Sequence, residues 1–131
     1  MARKKRSKKT LNRQLDELWK KWVRHRAGNR CEAKGQWKAC SSGPLHAHHV
    51  VPRGIKRLCF DPRNGVALCY MHHLHWAHKD ARAFSAWFES YRPEDASYQD
   101  EKRKELTHRS VVDLEDLLAE MKVRAAVDGV E

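Results

Sequence analysis

The sequence lacks any long apolar run. Its mean hydropathy is −0.87, and no stretch approaches the roughly 20 consecutive apolar residues that a helix needs to span a bilayer. The N-terminus, MARKKRSKKT, is basic, but no apolar segment follows it, so it does not have the pattern of a secretory signal. We therefore expect a cytoplasmic protein that has no membrane as a partner.

Acidic residues are scarce in the first half of the chain. Residues 1–66 contain 18 Lys and Arg against 4 Asp and Glu, whereas residues 67–131 contain 9 against 13. Basic side chains neutralise phosphates and release counterions, so such a surface binds nucleic acid with a strong dependence on salt. The asymmetry favours a front half that binds a polyanion. Charge alone leaves open the alternative of a highly soluble protein with a basic tail.

The chain also lacks an internal repeat, and its length limits the number of domains. With 131 residues it can form one domain, but it is too short for two domains with separate cores. Six of the first nine residues are Lys or Arg, and a block of like charges is usually disordered. We predict a disordered basic arm over residues 1–10 and a single domain over residues 11–131, with a core in 31–80 and a helical extension in 81–131.

The spacing of apolar residues predicts an α+β fold that is mostly helical. A first helix is expected over residues 11–26, with Thr10 as its N-cap and Gly28 as its stop. Ser110 followed by Asp113 resembles a capping box. The other expected elements, in chain order, are a loop over 28–45, a short strand over 46–52, a returning strand around 58–60, a helix from 64 to 92 that Pro93 ends, and a charged helical segment over 97–125.

Cysteine and histidine are concentrated in the middle of the chain. Four cysteines without a secretory signal favour metal binding or free thiols over disulfides. Seven of the nine histidines lie between His46 and His78. His48 and His49 are adjacent, and adjacent strand residues point to opposite faces. They cannot share one pocket unless the strand ends or bulges there, or unless their roles differ.

Three elements in residues 46–79 occur in the order and with the gaps of a known motif. They are HHVVP over 48–52, RNGVALC over 63–69, and His73 on the expected helix. This segment resembles the HNH, or ββα-metal, endonuclease motif, in which a hairpin strand, a loop Asn and a helical His form one site. The His-His pair and the spacing are similar to those of the colicin DNases. Residues 68–88 are more similar to the small HNH proteins of bacteriophages.

The resemblance implies a fold and an activity. The fold would be a ββα-metal core, a short β-hairpin plus a helix, flanked by N- and C-terminal helices. The activity would be metal-dependent nicking or cleavage of DNA with low sequence specificity, in phage DNA processing or packaging. The expected partners are then double-stranded DNA and the phage packaging machinery, in the host cytoplasm, with the chain a monomer or weak dimer. A non-catalytic zinc-stapled DNA-binding module and an RNA nuclease are the alternatives.

The resemblance also assigns roles to individual residues. His48 and His73 would hold one divalent cation, Mg²⁺, Mn²⁺ or a similar ion. His49 would be the general base that takes a proton from the attacking water, a task that suits imidazole because its ordinary pKa of about 6.5 leaves it largely neutral. Asn64 would hold the hairpin loop so that His49 is oriented. Arg53, just past the strand, would grip a phosphate.

The same resemblance leaves His78 ambiguous. The colicin-type site has a second helical His four residues after the first, where this sequence has Ala77. On a regular helix, His78 would point about 140° away from His73. It joins the metal site only if the helix unwinds or bulges, so both alternatives stay open. His46 is interpreted as local structure, and His75 as part of a solvated helix face.

Many HNH proteins have a structural zinc ion bound by two Cys-x-x-Cys pairs, and the resemblance implies such a site here. The candidate ligands are Cys31, Cys40, Cys69 and His72, although both halves depart from the usual spacing. A disulfide such as Cys31–Cys40, or one that involves Cys59 or Cys69, is the alternative. Cys59 otherwise packs as a small hydrophobic residue.

Basic residues outside the site are candidates for binding the DNA backbone. Each would neutralise a phosphate on the strand that enters the site, and together they would hold the duplex without selecting a sequence. The candidates are Arg3, Lys4, Lys5 and Arg6 in the basic arm, and Lys56 and Arg57 in the loop after the first strand.

Overall fold

The computed structural model of the protein describes residues 5–130, so Arg3 and Lys4 of the predicted basic arm lie outside the described residues. The fold is α+β and mostly helical, and the described part contains one two-stranded antiparallel sheet. No helix within residues 5–130 is both long and apolar enough to cross a membrane. The elements, in chain order, are α1 (Lys8–Arg26), β1 (His46–His49), a 3₁₀ turn (Pro62–Asn64), β2 (Gly65–Leu68), a π-helix (Met71–Ala77), α2 (Ala81–Tyr91), α3 (Pro93–Lys102) and α4 (Val111–Val127).

Helix α1 begins earlier than the sequence predicted. Its N-cap is Ser7 rather than Thr10, because the Ser7 hydroxyl accepts a hydrogen bond of 3.1 Å from the backbone N–H of Thr10. Residues 8–10 of the predicted disordered arm are therefore helical. At the other end, Gly28 follows the helix in a left-handed conformation with φ at 67°, as expected of a helix stop.

Helix α1 is the central support of the fold. Its apolar stripe, including Leu15 and Trp19, is buried in one core with Leu118 of α4. Helix α1 also contacts β2, so closely that a Cβ atom added at Gly65 would overlap the side chain of Val23. Only glycine allows the strand to approach the helix to this distance.

The second strand lies in a different place from the one predicted. β2 pairs antiparallel with β1, and His48 stands opposite Val66. The sequence placed the returning strand around residues 58–60 and began a helix at 64, and both predictions are wrong. Residues 58–60 are buried in a series of turns. Gly65–Leu68 is buried at all four positions, and an apolar run without alternation does not distinguish a strand from a helix.

The segment after β2 is a π-helix followed by a separate α-helix. The backbone N–H of His78 donates to the carbonyl oxygen of His73, five residues earlier, at 3.1 Å. Asp80 then caps α2, accepting a hydrogen bond of 3.2 Å from the N–H of Ala83. The helix that was predicted to run continuously from 64 to 92 is thus divided into three elements.

The C-terminal helices also divide at a point that the sequence did not indicate. Pro93 ends α2 as predicted, and it also occupies the start of α3, where its missing N–H loses no helical hydrogen bond. The segment predicted as helical over 97–125 is interrupted by a non-helical connection over residues 103–110. The predicted capping box is confirmed, since the side chains of Ser110 and Asp113 each accept a hydrogen bond from the other's backbone N–H, at 3.1 and 2.8 Å.

Two candidate metal centres

The four side chains that the sequence proposed as ligands come together, with Cys69 and His72 buried, Cys31 half-buried and Cys40 exposed. Their ligand atoms, the Sγ atoms of Cys31, Cys40 and Cys69 and a ring nitrogen of His72, all lie within 4.8 Å of one another. His72 Nδ1 is 3.6, 3.7 and 3.1 Å from the three sulfurs in that order. We call these residues the cysteine–histidine cluster. The set can hold a metal ion.

The tautomer of His72 is set by a contact on its far side. Its Nε2 lies 2.7 Å from the carbonyl oxygen of Gln36. A carbonyl only accepts hydrogen bonds, so the ring proton sits on Nε2 and the lone pair of Nδ1 faces the three sulfurs. This is the arrangement in which a histidine binds a metal through one nitrogen while the other is anchored by the protein.

Burial controls the charge of the cysteines in this cluster. It raises the pKa of Cys31 to about 12, and it also raises that of Cys40. Burial would raise the pKa of Cys69 too, but hydrogen bonds, first among them that from the backbone N–H of His72 and then those from Ser41, outweigh it and lower this pKa to about 6. Only one of the three sulfurs is therefore easily ionised by the protein alone. A bound cation is the group that would stabilise all three as thiolates.

The loop that supplies Cys31 and Cys40 is fixed to the sheet. The N–H of Glu32 donates to the carbonyl of Ala67 at 2.9 Å, and the Glu32 carboxylate accepts from the N–H of Ala67 at 2.7 Å. The four cysteines are all described, and no disulfide joins them. Cys59 lies apart from the cluster and is buried in the α1–α4 core, as the sequence predicted.

A second cluster consists of three histidines from two elements. His48 projects from β1, and His73 and His78 come from the π-helix and the residue after it. Their nearest ring nitrogens all lie within 4.8 Å of one another, and the Nε2 atoms of His73 and His78 are 3.0 Å apart. We call this set the three-histidine cluster. It too can hold a metal ion.

The π-helix explains how His78 reaches the cluster. A regular α-helix would turn His78 away from His73, as the sequence indicated. In the π-helix each turn contains more residues, so that a side chain five positions on returns to the same face. Of the two alternatives left open by the sequence, the structure therefore has the one in which the helix is widened and His78 lies beside His73.

The sequence reasoning missed the part that His46 plays. His46 Nδ1 lies 2.8 Å from His73 Nδ1, so one of these nitrogens donates a hydrogen bond to the other. His73 thus has its Nδ1 occupied by His46 and its Nε2 turned toward His78. The signal that would have found His46 is strand periodicity, since residues 46 and 48 lie on the same face of β1.

Burial and the proximity of other imidazoles keep His48 and His73 neutral. They lower the pKa of His48 to about 3 and that of His73 to about 4, because a buried imidazolium beside other imidazoles is disfavoured. The neutral ring is the form that binds metals.

His49 points away from the adjacent His48, and two contacts hold its ring. Its Nε2 lies 2.9 Å from the carbonyl oxygen of Cys59, and its ring stacks on Trp19 with 3.9 Å between centroids. The ring proton therefore sits on Nε2 and leaves Nδ1 as the basic nitrogen. Burial lowers the pKa of His49 below its ordinary value, so the ring is neutral.

Asn64 closes the loop that contains the Cys59 carbonyl. Its side-chain oxygen accepts from the N–H of Val51 at 2.7 Å, and its amide donates to the carbonyls of Val51 and Leu58 at 3.0 and 3.3 Å. It is fully buried. These three bonds tie the end of β1 to the loop behind it.

The three-histidine cluster and His49 line one cavity of about 550 Å³, which we call the histidine cavity. Its lining includes His48, His49 and Arg53, together with Asp16 and Lys20 of α1. Arg53 lies with a guanidinium nitrogen 3.7 Å from the Asp16 carboxylate, and its side chain is 61% exposed. Asp16 is buried, and its Oδ1 has no hydrogen-bond partner among the described residues. The contribution of α1 to this cavity was not foreseen, because α1 is distant in sequence from the motif.

The predicted DNA-binding residues that the structure describes differ in their surroundings. Lys5, Arg6 and Lys56 are exposed. Arg57 instead forms ion pairs with Glu105 at 2.7 Å and Asp61 at 3.8 Å. Its guanidinium therefore joins the loop to the C-terminal part of the chain, and a role for all four in DNA binding stays a prediction.

Comparison of the chain with protein-family models, with curated proteins and with solved structures gave no match.

Proposed function

We propose that this protein is a metal-dependent DNA endonuclease of the HNH type, with β1, β2 and the π-helix as its ββα-metal core. The observation that carries the proposal is one cavity with two kinds of imidazole. The three-histidine cluster can hold a cation there, and His49 presents an oriented, neutral ring to the same space. A cation site beside a positioned base suits metal-dependent hydrolysis of a phosphodiester, because the cation stabilises the developing charge and the base activates water.

Each residue has a task that follows from its contacts. His48, His73 and His78 would hold a divalent cation, which supplies Lewis-acid stabilisation of the charge that develops on the phosphate and the departing 3′ oxygen. His49 accepts the proton of the attacking water at Nδ1, because its Nε2–H is engaged by the Cys59 carbonyl. Arg53 binds a phosphate oxygen at the mouth of the cavity. The products are 5′-phosphate and 3′-hydroxyl ends.

The cysteine–histidine cluster has a supporting task in this proposal. Three sulfurs and one imidazole nitrogen form a ligand set typical of structural zinc, which takes four such ligands and leaves no open position. We therefore propose zinc as its ion. The ion would hold the loop of Cys31 and Cys40 against the end of β2 and the start of the π-helix, which is where the three-histidine cluster begins.

The test is a supercoiled-plasmid assay with Mg²⁺ or Mn²⁺ that compares the wild type with His49→Ala. Loss of the base should lower the nicking rate by about 10²- to 10⁴-fold. Binding to a DNA duplex should stay within about twofold, since His49 does not hold the cation.

His75→Ala is the matched control, since His75 is a histidine of the same region outside the three-histidine cluster, and it should nick at the wild-type rate. Unchanged nicking by His49→Ala would refute the catalytic assignment. A wild-type protein that binds DNA and never nicks it, with any divalent ion, would instead point to a non-catalytic binding module.

A further inference from the structure

A second cavity adjoins the histidine cavity and is strongly basic. It has a volume of about 320 Å³, and its lining includes Lys8, Arg53, Lys56, His108 and Arg109. None of the described residues that line it has a carboxylate. We call it the basic pocket. A concave surface with four permanent positive charges and no acidic lining residue is suited to an anion.

Three separate parts of the chain build the basic pocket. Lys8 comes from the first turn of α1, Lys56 from the loop after β1, and Arg109 from the connection between α3 and α4. Arg109 is held in place, because it donates a hydrogen bond of 2.7 Å to the carbonyl oxygen of Lys56. The first turn of α1 contains no acidic residue, so the partial positive charge of the helix N-terminus is not offset there.

Arg53 lines both the basic pocket and the histidine cavity. The side chain of Arg53 therefore stands between the two cavities, and a polymer of phosphates that enters the histidine cavity meets the basic pocket next. Neither Lys8 nor Lys56 has a side-chain hydrogen bond or ion pair with another described residue. Both ammonium groups are free to bind a ligand.

We propose that the basic pocket binds an internal phosphate of the DNA backbone, next along the strand from the phosphate at the three-histidine cluster. This inference rests on the proposed function for the identity of the polymer. It adds a second point of attachment, in which Lys56 of the loop after β1 is joined by α1 and the α3–α4 connection, two elements outside the segment that resembles the HNH motif. With two fixed points, the strand has a defined direction through the site.

The test measures DNA binding rather than cleavage. A 20-base-pair duplex with 5′-hydroxyl ends is titrated at several salt concentrations with no divalent cation added. The pocket variant is the double substitution Lys8→Gln and Lys56→Gln. The control is Lys21→Gln with Lys122→Gln, which removes the same charge from two exposed lysines that line a different cavity between α1 and α4.

The pocket variant should lose about one phosphate contact. The slope of log K against log salt then becomes shallower by about 1. This corresponds to an affinity about tenfold weaker than the wild type at 0.1 M salt, while the control variant keeps the wild-type slope.

Two results would overturn the inference. The first is a pocket variant whose slope and affinity match those of the control. The second is a loss that appears only with a 5′-phosphorylated duplex, because the pocket would then bind a strand end. The plasmid assay separates this inference from the proposed function. If the wild type nicks DNA and the pocket variant binds DNA normally, only the proposal for the basic pocket is refuted. If the wild type never nicks DNA but the salt slope of the pocket variant changes, only the proposed nuclease function is refuted.

Discussion

The two clusters differ in the number, chemistry and exposure of their ligands. The cysteine–histidine cluster has four ligand atoms, three of them sulfur, and Cys69 and His72 are buried. The three-histidine cluster has its imidazoles on the wall of an open cavity. A closed set of four suits an ion that holds the fold, and a set of three leaves room for a substrate atom. Yet the two are built from adjacent residues, since His72 belongs to one and His73 to the other.

The largest effect should come from Cys69→Ser, which removes one ligand from the cysteine–histidine cluster. Binding of zinc to such sites is worth about 10–16 kcal/mol, which matches or exceeds the roughly 5–15 kcal/mol that stabilises a whole domain. We expect the variant to bind no zinc and to lose its cooperative thermal unfolding transition. Metal content and circular dichroism measure the two quantities.

Cys59→Ser is the control for that variant, because Cys59 is equally buried but lies outside the cluster. It should keep one equivalent of zinc and still unfold cooperatively, at a lower temperature. A Cys69→Ser protein that retains zinc and melts like the wild type would show that the cluster does not support the fold.

A substitution in the three-histidine cluster should weaken cation binding and leave the stability of the fold unchanged. His73→Ala removes a ligand from the three-histidine cluster, and we expect the affinity for Mn²⁺ to fall by more than the roughly 10- to 100-fold seen when a residue behind a ligand is lost. Zinc content and cooperative unfolding should stay as in the wild type. Calorimetric titration measures the affinity for Mn²⁺, and His75→Ala is again the control. If Mn²⁺ binding survives in His73→Ala, the ion is bound elsewhere.

A third support of the site involves no metal. Asp95 accepts hydrogen bonds of 2.7 Å from both Arg63 and Arg92, and Arg92 also donates to the carbonyl of Gly65 at the start of β2. Asp95→Asn should lower the free energy of unfolding at pH 7 by about 1–3 kcal/mol. Urea denaturation measures the free energy of unfolding. The control is Asp100→Asn, on the exposed face of α3, which should change that free energy little.

The effect of Asp95 should depend on pH in one direction. Burial would raise the pKa of Asp95, but the two arginines more than offset it and hold the pKa below its ordinary value of 3.8. A lowered pKa means that the stabilisation is fully present above the ordinary value and is lost as pH falls through the folded value. The difference between wild type and Asp95→Asn should therefore shrink below about pH 4. A difference that grows toward acid would contradict this account.

The smallest effect should come from deleting Leu74, which is partly exposed in the π-helix. The deletion leaves His73 and His78 four residues apart, a spacing that places both on one face of an ordinary α-helix. We expect Mn²⁺ affinity within about threefold of the wild type. Inserting an alanine after Leu74 is the opposite change and should weaken binding strongly. Equal loss in both would mean that the width of the helix itself is required.

The sequence predicted which side chains come together better than it predicted the elements that carry them. Ligand chemistry is a property of residue type, so His48, His73 and the four residues of the cysteine–histidine cluster could be named without coordinates. β2 could not be placed, because GVAL has no alternation and is followed by residues with helical spacing. The turns at 58–60 are apolar for another reason, which is that they line the core beneath α1.

Contacts made by residues distant in sequence were the least predictable part of the site. Asp16 and Lys20 reach the histidine cavity only because Gly65 lets β2 lie against α1. His78 was left undecided for a related reason. Whether a helix takes an extra residue per turn depends on what packs on both sides of it. Here Trp76 of the π-helix packs with Phe84 of α2 and Val66 of β2 in a buried cluster separate from the α1–α4 core. No local pattern contains that information.

In the proposed function, the π-helix would link the binding of the two ions thermodynamically. One short segment of unusual backbone, Met71–Ala77, contains His72 and His73 and ends directly before His78, so each ion would order the same segment. The conformational entropy of that segment is lost once, whichever ion binds first. The second ion then binds more tightly than it would alone, and by reciprocity the magnitude is the same in either order. In the proposed nuclease, the availability of zinc would then set the concentration of divalent cation that cleavage requires.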